Sequence, residues 1–127
     1  MACTITENTH AGVKLIKFAW TSDAAGAATG TTTYCYDGLI QTVVTVPGTV
    51  ADKPTDDYDI VLTDNNSIDQ LFGYGANRDQ TATETITRGW ISATVATTLG
   101  SVTSSKLTLT VANAGDTKSG TVYVWIR

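Results

Sequence analysis

The chain is poor in the residues on which most catalytic and metal chemistry is built. His10 is its only histidine and falls in a segment that reads as a loop, which removes catalytic triads and histidine-rich metal sites. Cys3 and Cys35 are too few for a disulfide framework. They read as two thiols, with a single cross-strand bridge as the alternative. Neither G-x-S-x-G nor a phosphate-binding glycine loop occurs. There are two prolines and one methionine, and long runs of Leu, Glu and Lys at helical spacing are missing, which argues against a helical bundle. No apolar run is long enough for a membrane-spanning helix. Thr4, Thr6, Glu7 and Asn8 stand where the apolar part of a signal peptide would be. The expectation is synthesis in a cytoplasm without export by that route, and no membrane partner.

Positive charge is also scarce. Eight Lys and Arg face twelve Asp and Glu, a net charge of −4, so no nucleic-acid surface is expected. The acid is unevenly spread. Asp52–Glu84 holds Asp52, Asp56, Asp57, Asp59, Asp64, Asp69, Asp79 and Glu84 against Lys53 and Arg78 alone, which leaves the remainder slightly basic.

What is abundant is β-forming. Threonine makes up about a fifth of the chain, with Val and Ile common. Tyr58, Ile60 and Leu62 alternate with Asp59, Val61 and Thr63, the pattern of a strand buried on one face. Asp64-Asn65-Asn66 ends it, and Ser67-Ile68-Asp69-Gln70 fits a capping box that predicts a short helix near 67–73, stopped by Gly73 and Gly75. Leu71, Phe72 and Tyr74 would pack this insert over one end of a sheet. Cys3–Asn8 reads as an edge strand. Gly12–Ser22 is apolar on both faces, with Ile16, Phe18 and Trp20 on one and Val13, Leu15 and Ala19 on the other. That points to a central strand or a contact between molecules.

Asp37-Gly38 is a tight-turn signal that predicts a hairpin over Thr31–Val46, with Ile40, Val44 and Val46 on one side. Thr81–Arg88 is extended, with only Ile86 to bury. Trp90–Leu99 permits a strand, and Gly100–Ser105 reads as a turn. Leu107, Leu109 and Val111, then Val122, Val124 and Ile126, predict a C-terminal hairpin. About eight strands without crossover helices give a single-domain antiparallel β-sandwich over 1–127, all-β and of jelly-roll or Greek-key type.

The candidate sites weigh towards structure. Asp64–Asp69 superficially matches a calcium loop, but Ile68 stands where an oxygen is needed, Asp69 where Gly is needed, and Gly75 at the twelfth position where Glu is needed. A solvated turn accounts for it, and no metal or cofactor is expected. Asp56, Asp57 and Asp59 could supply a carboxylate pair for glycoside hydrolysis, but no aromatic groove is implied beside them. The expectation is therefore no enzyme. Trp20 reads first as core. Tyr123 and Trp125 share the face opposite Val122, Val124 and Ile126, so they cover a second layer, a partner or the insert. The interface candidates are Trp125, Tyr123, Trp20, Phe72, Tyr74 and Arg78, with carbohydrate stacking by Trp90 or Trp125 as an alternative use of the aromatics.

Two stretches carry a resemblance. DYDIVLTD, SIDQLFGYGANRD and TATE within Asp57–Glu84, and LTLTVANAGDTKSGTVYVWIR at the end, resemble short all-β virion structural proteins of tailed bacteriophages. The resemblance implies a structural subunit of the virion, foremost a capsid decoration (cement) protein bound outside the shell. Its partners would be the major capsid protein or other virion proteins, and it would form a homo-oligomer. Head–tail or tail components remain open, and a carbohydrate-binding module or adhesin domain is the reading from another class.

Overall fold

Apolar side chains at every second position set most of the strands. The computed structural model describes residues 3–87, 89–90, 96–97 and 99–127. In chain order the strands are β1 (Cys3–His10), β2 (Val13–Thr21), β3 (Ala28–Thr31), β4 (Tyr36–Pro47), β5 (Asp59–Thr63), β6 (Glu84–Thr87), β7 (Gly89–Trp90), β8 (Ala96–Thr97), β9 (Ser101–Ser105), β10 (Thr108–Ala112) and β11 (Ser119–Ile126). A 3-10 turn over Val50–Asp52 is the helical element among the described residues.

The pairing is antiparallel and the chain folds as an all-β sandwich. The larger sheet runs β1-β2-β11-β4-β6, with β9 pairing the start of β4; the smaller runs β3-β10-β5, and β7 pairs β8 separately. Among the described residues only β1–β2 and β7–β8 join strands that are consecutive in the chain, so the path is not a meander.

Between the two sheets lies one apolar layer. Ile16, Phe18 and Trp20 of β2 and Val122, Val124 and Ile126 of β11 meet Ile60 and Leu62 of β5 and Leu109 and Val111 of β10, each at most 1% exposed. Trp20 and Tyr58 pack ring on ring, 5.6 Å between centroids. Burial pushes the Tyr58 phenol up to about 12.

Several expectations are corrected. The C-terminal strands both form but do not pair: β10 is central in the small sheet and β11 lies between β2 and β4 in the large one. The loop between them crosses the sandwich, held where Ser22 Oγ donates to Gly115 O at 2.6 Å and the Thr55 N–H donates to Ala114 O at 2.8 Å. Alternation fixes which face a side chain takes, not which strand lies alongside.

Asp37-Gly38 is no turn either, because β4 continues through it, with a register shift against β9 between Tyr36 and Gly38. Gly38 has φ +130, and an added Cβ would sit 2.9 Å from Arg127 O. The glycine serves close approach within a strand. Further along, Trp125 is opposite Thr42 and Ile126 opposite Ile40, which leaves Gln41 as the extra residue of a bulge. The bulge flips the phase, so Ile40, Val43 and Thr45 point inward while Val44 and Val46 point out. Gly100–Ser105 is not a turn, since Ser101–Ser105 is β9. Finally, the helix near 67–73 does not form. Ser67 has φ +63 and Phe72 φ +49, outside the helical region, and the segment is a chain of turns.

That insert seals the free edge of β5 and does not plug an end. The Ile60 N–H donates to Gly75 O at 2.8 Å, Gln70 N–H to Leu62 O at 2.7 Å and Arg78 N–H to Tyr58 O at 2.7 Å. Gly75 lies so close to β5 that an added Cβ would collide with Ile60 O. Gly75→Ala should lower stability by about 1–3 kcal/mol through overpacking against backbone. Gly73→Ala has open space around it but puts a Cβ at φ +83, and should cost about 1–2 kcal/mol through backbone strain alone. Urea unfolding of the two variants measures the difference.

Candidate functional site

The outward positions of the large sheet form the candidate site. On β11 they are Thr121, Tyr123 and Trp125, because Val122, Val124 and Ile126 are committed to the core. Register then places the neighbours. Tyr123 lies opposite Lys17 on β2 and Val44 on β4, and Trp125 opposite Leu15 and Thr42. The Gln41 bulge is what brings Val44 and Val46 to this side. The result is an apolar strip of partly exposed side chains across three central strands.

Its centre is ordered by ring contacts. Tyr123 and Trp125 stack with centroids 5.7 Å apart and planes 26° from parallel, and Lys17 Nζ sits 5.9 Å from the Tyr123 ring centre. Offset stacking and a cation over a ring face each contribute about 0.5–1 kcal/mol at an exposed surface. Beside Trp125 an open hollow of about 570 Å³ is lined by Val13, Gln41, Thr42, Val44, Thr85 and Arg127. The charged members of this region, Lys17 and Arg127, are both basic.

The other candidates lie elsewhere. Trp20 is 1% exposed in the core, so it belongs to no surface, which corrects its place among the interface residues. Its indole edge lies against Gly120, where an added Cβ would meet Trp20 at 2.5 Å, and its N–H has no acceptor among the described residues. Tyr74 is partly buried against the core. The Arg78 guanidinium folds back on its own segment, donating to Ala76 O at 3.3 Å and lying 3.7 Å from the Glu84 carboxylate. Phe72, 54% exposed, stands out from the insert apart from Tyr123 and Trp125. The side chain of Trp90 lies outside the described residues, as does most of Trp90–Leu99.

The aspartates that invited metal or acid–base chemistry act as turn acceptors. Asp64 Oδ1 accepts the N–H groups of Asn66 at 2.8 Å and Ile68 at 3.0 Å, and Asp64 Oδ2 accepts from Gln70 Nε2 at 3.0 Å. Asp69 accepts from Leu71 and Gly73, and Asp79 from Thr81 and Ala82. These bonds favour the charged form and hold the Asp64 and Asp79 carboxyls below the ordinary value of 3.8. Among the described residues no group of three or more His, Cys, Asp or Glu is placed to hold a metal ion. Cys3 and Cys35 are free thiols; Cys3 is partly buried, which raises its pKa, and Cys35 is exposed. No helix is long and apolar enough to cross a membrane.

No known family model matches the chain, and no curated protein matches it in sequence.

The turn acceptors make an acid-sensitive element. Carboxyls held below 3.8 in the folded chain contribute stability above 3.8, which is lost as pH falls through their folded values. The thermal unfolding midpoint should therefore fall on acidification below that point. Asp64→Ala should lower the midpoint at neutral pH and flatten its acid dependence. Ser67→Ala, which removes no cap, should leave the midpoint where it is.

Proposed function

We propose that the protein is a non-catalytic structural subunit of a bacteriophage virion, a decoration (cement) protein that binds the outer surface of the capsid shell through the outer face of its large sheet. The observation that carries this reading is the stacked Tyr123–Trp125 pair, set in an apolar strip on the solvent side of strands whose inner face already forms the core. In an antiparallel sheet with one face on a core, the other face is ordinarily polar. Aromatic side chains on such a face are the usual anchors of protein interfaces. Lys17 and Arg127 at the strip favour an acidic partner surface. The resemblance of Asp57–Glu84 and the C-terminal stretch to virion structural proteins points the same way.

A second reading has its own support. Trp125 walls an open hollow together with Gln41, Thr42, Thr85 and Arg127. An aromatic platform beside amide, hydroxyl and guanidinium groups also suits a sugar, as in a carbohydrate-binding module or adhesin.

Co-sedimentation with purified capsid shells, alongside a glycan array, separates the two. Trp125→Ala should weaken shell binding by roughly 30-fold, equal to about 2 kcal/mol for a central aromatic anchor. Its circular dichroism and unfolding midpoint should stay near those of the wild type, since the residue lies outside the core. Absence of shell binding by the wild type would remove the reading, and Trp125-dependent glycan binding would put the second in its place.

A further inference from the structure

We propose that β1 pairs edge to edge with β1 of a second copy, antiparallel and about a two-fold axis, joining the two large sheets into one. The inference begins from how the sheet edges are treated. A free edge presents unpaired N–H and C=O groups, and proteins blunt it with proline, lysine, an inward-pointing charge, a bulge or a covering segment. The edge of β5 is covered by the insert, through Gln70, Gly75 and Arg78. The far side of the large sheet is divided between the short strands β6 and β9.

β1 is different. It is the outermost strand of its sheet and pairs β2 from Cys3↔Trp20 to His10↔Val13 without a register shift. Among the described residues no backbone group bonds its other edge. The strand reads CTITENTH: it has no proline, no lysine and no bulge, is rich in threonine, and its one charge, the inward Glu7, is already held by the Thr33 N–H. Next to it stands an exposed aromatic. The Thr33 N–H donates to the Glu7 carboxylate at 2.7 Å, and the following residue, Tyr34, is 65% exposed. An aromatic flanking a template edge is suited to contact a docked strand's own flank.

Chemistry also selects the register. A two-fold axis normal to the sheet keeps outward residues opposite outward residues, so a residue of β1 itself must lie on the axis. With Glu7 on the axis, two carboxylates would meet directly, which is destabilising. With Ile5 there, the described residues of β1 would pair only over Cys3–Glu7. With Thr6 there, Cys3–Thr9 of each copy pairs, Thr4 lies opposite Asn8, and Ile5 opposite Glu7. Thr6 faces Thr6, a pairing that hydroxyls favour. The path of five strands in each copy becomes a continuous sheet of twice that number. Both Tyr123–Trp125 strips then face the same way, which makes the assembly bivalent on that side.

Size-exclusion chromatography with light scattering should give twice the chain mass for the wild type at micromolar concentration. Thr6 is exposed within one copy and lies opposite Lys17 on β2, so Thr6→Glu should keep the circular dichroism of the wild type while placing two carboxylates at the axis. It should weaken the dimer by at least about tenfold, the effect of like charges juxtaposed in an interface. Thr6→Cys should give a copy-to-copy disulfide under mild oxidation, mapped by peptide mass spectrometry to position 6 of both chains. A monomeric wild type, a dimer indifferent to Thr6→Glu, or a dimer that Thr6→Cys does not cross-link would each overturn the proposal. Trp125→Ala should leave this dimer intact while weakening shell binding, so pairing and shell binding fail independently.

Discussion

β11 is the constraint on which the rest of the structure depends. It is bonded along both edges, to β2 and to β4, and on its inner side Val122, Val124 and Ile126 are fully buried. Each of those side chains contributes about 1.5–3 kcal/mol by leaving water, so the strand cannot rotate or slip by one residue without exposing all three. Its other face is therefore fixed as well. Tyr123 and Trp125 are held outward by the same alternation that holds the core together, and the bulge at Gln41 adjusts β4 so that Val44 meets them. Core and surface strip are two consequences of one register.

The long acidic insert solves a different problem. A three-stranded sheet leaves β5 with an open edge, and the segment after it returns along that edge as turns instead of a regular strand. Turns need backbone groups satisfied one at a time, and aspartate is suited to that because its carboxylate accepts several N–H groups at once. Asp64, Asp69 and Asp79 each do so. Ser67, Phe72 and Asn77 take left-handed backbone conformations to make the path close. The density of acid in Asp52–Glu84 thus has a local structural cause that needs neither metal nor catalysis.

The sequence was informative wherever one strand's own pattern was enough. Ile16, Phe18 and Trp20, the alternation in Tyr58–Thr63, and the opposed faces of Val122–Ile126 were all legible, as was the all-β sandwich they imply. It misled wherever the answer depended on distant residues. Two strong strands with a loop between them read as a hairpin, because nothing in Leu107–Ile126 tells that β3 and β5 claim β10 while β2 and β4 claim β11. Asp37-Gly38 carried the composition of a turn, yet the approach of Arg127 uses the glycine inside a strand. The Ser67 capping box failed because its N–H groups are taken by backbone carbonyls, Gln70 N–H donating to Leu62 O and Ser67 N–H to Asp64 O. For the candidate site, the outward aromatics were legible, but their company was not. Val44 reaches the strip only through a bulge that no local signal announces.

The background of the outer face gives the aromatic pair its meaning. Tyrosine and tryptophan are favoured in strands for their own sake, so their presence alone decides little. Along this sheet, however, the outward positions are commonly threonine: Thr4 and Thr6 on β1, Thr121 on β11, Thr42 on β4, Thr85 and Thr87 on β6. Threonine meets the demands of a solvated strand without exposing a large apolar surface, and this chain uses it freely. Replacing it with two stacked rings at the middle strand, next to Val44 and under Lys17, adds nothing the core requires. It does add the rigid, amphipathic contact area by which protein surfaces recognise one another. The difference between the threonine rim and the aromatic centre is therefore the strongest argument that this face is there to be covered.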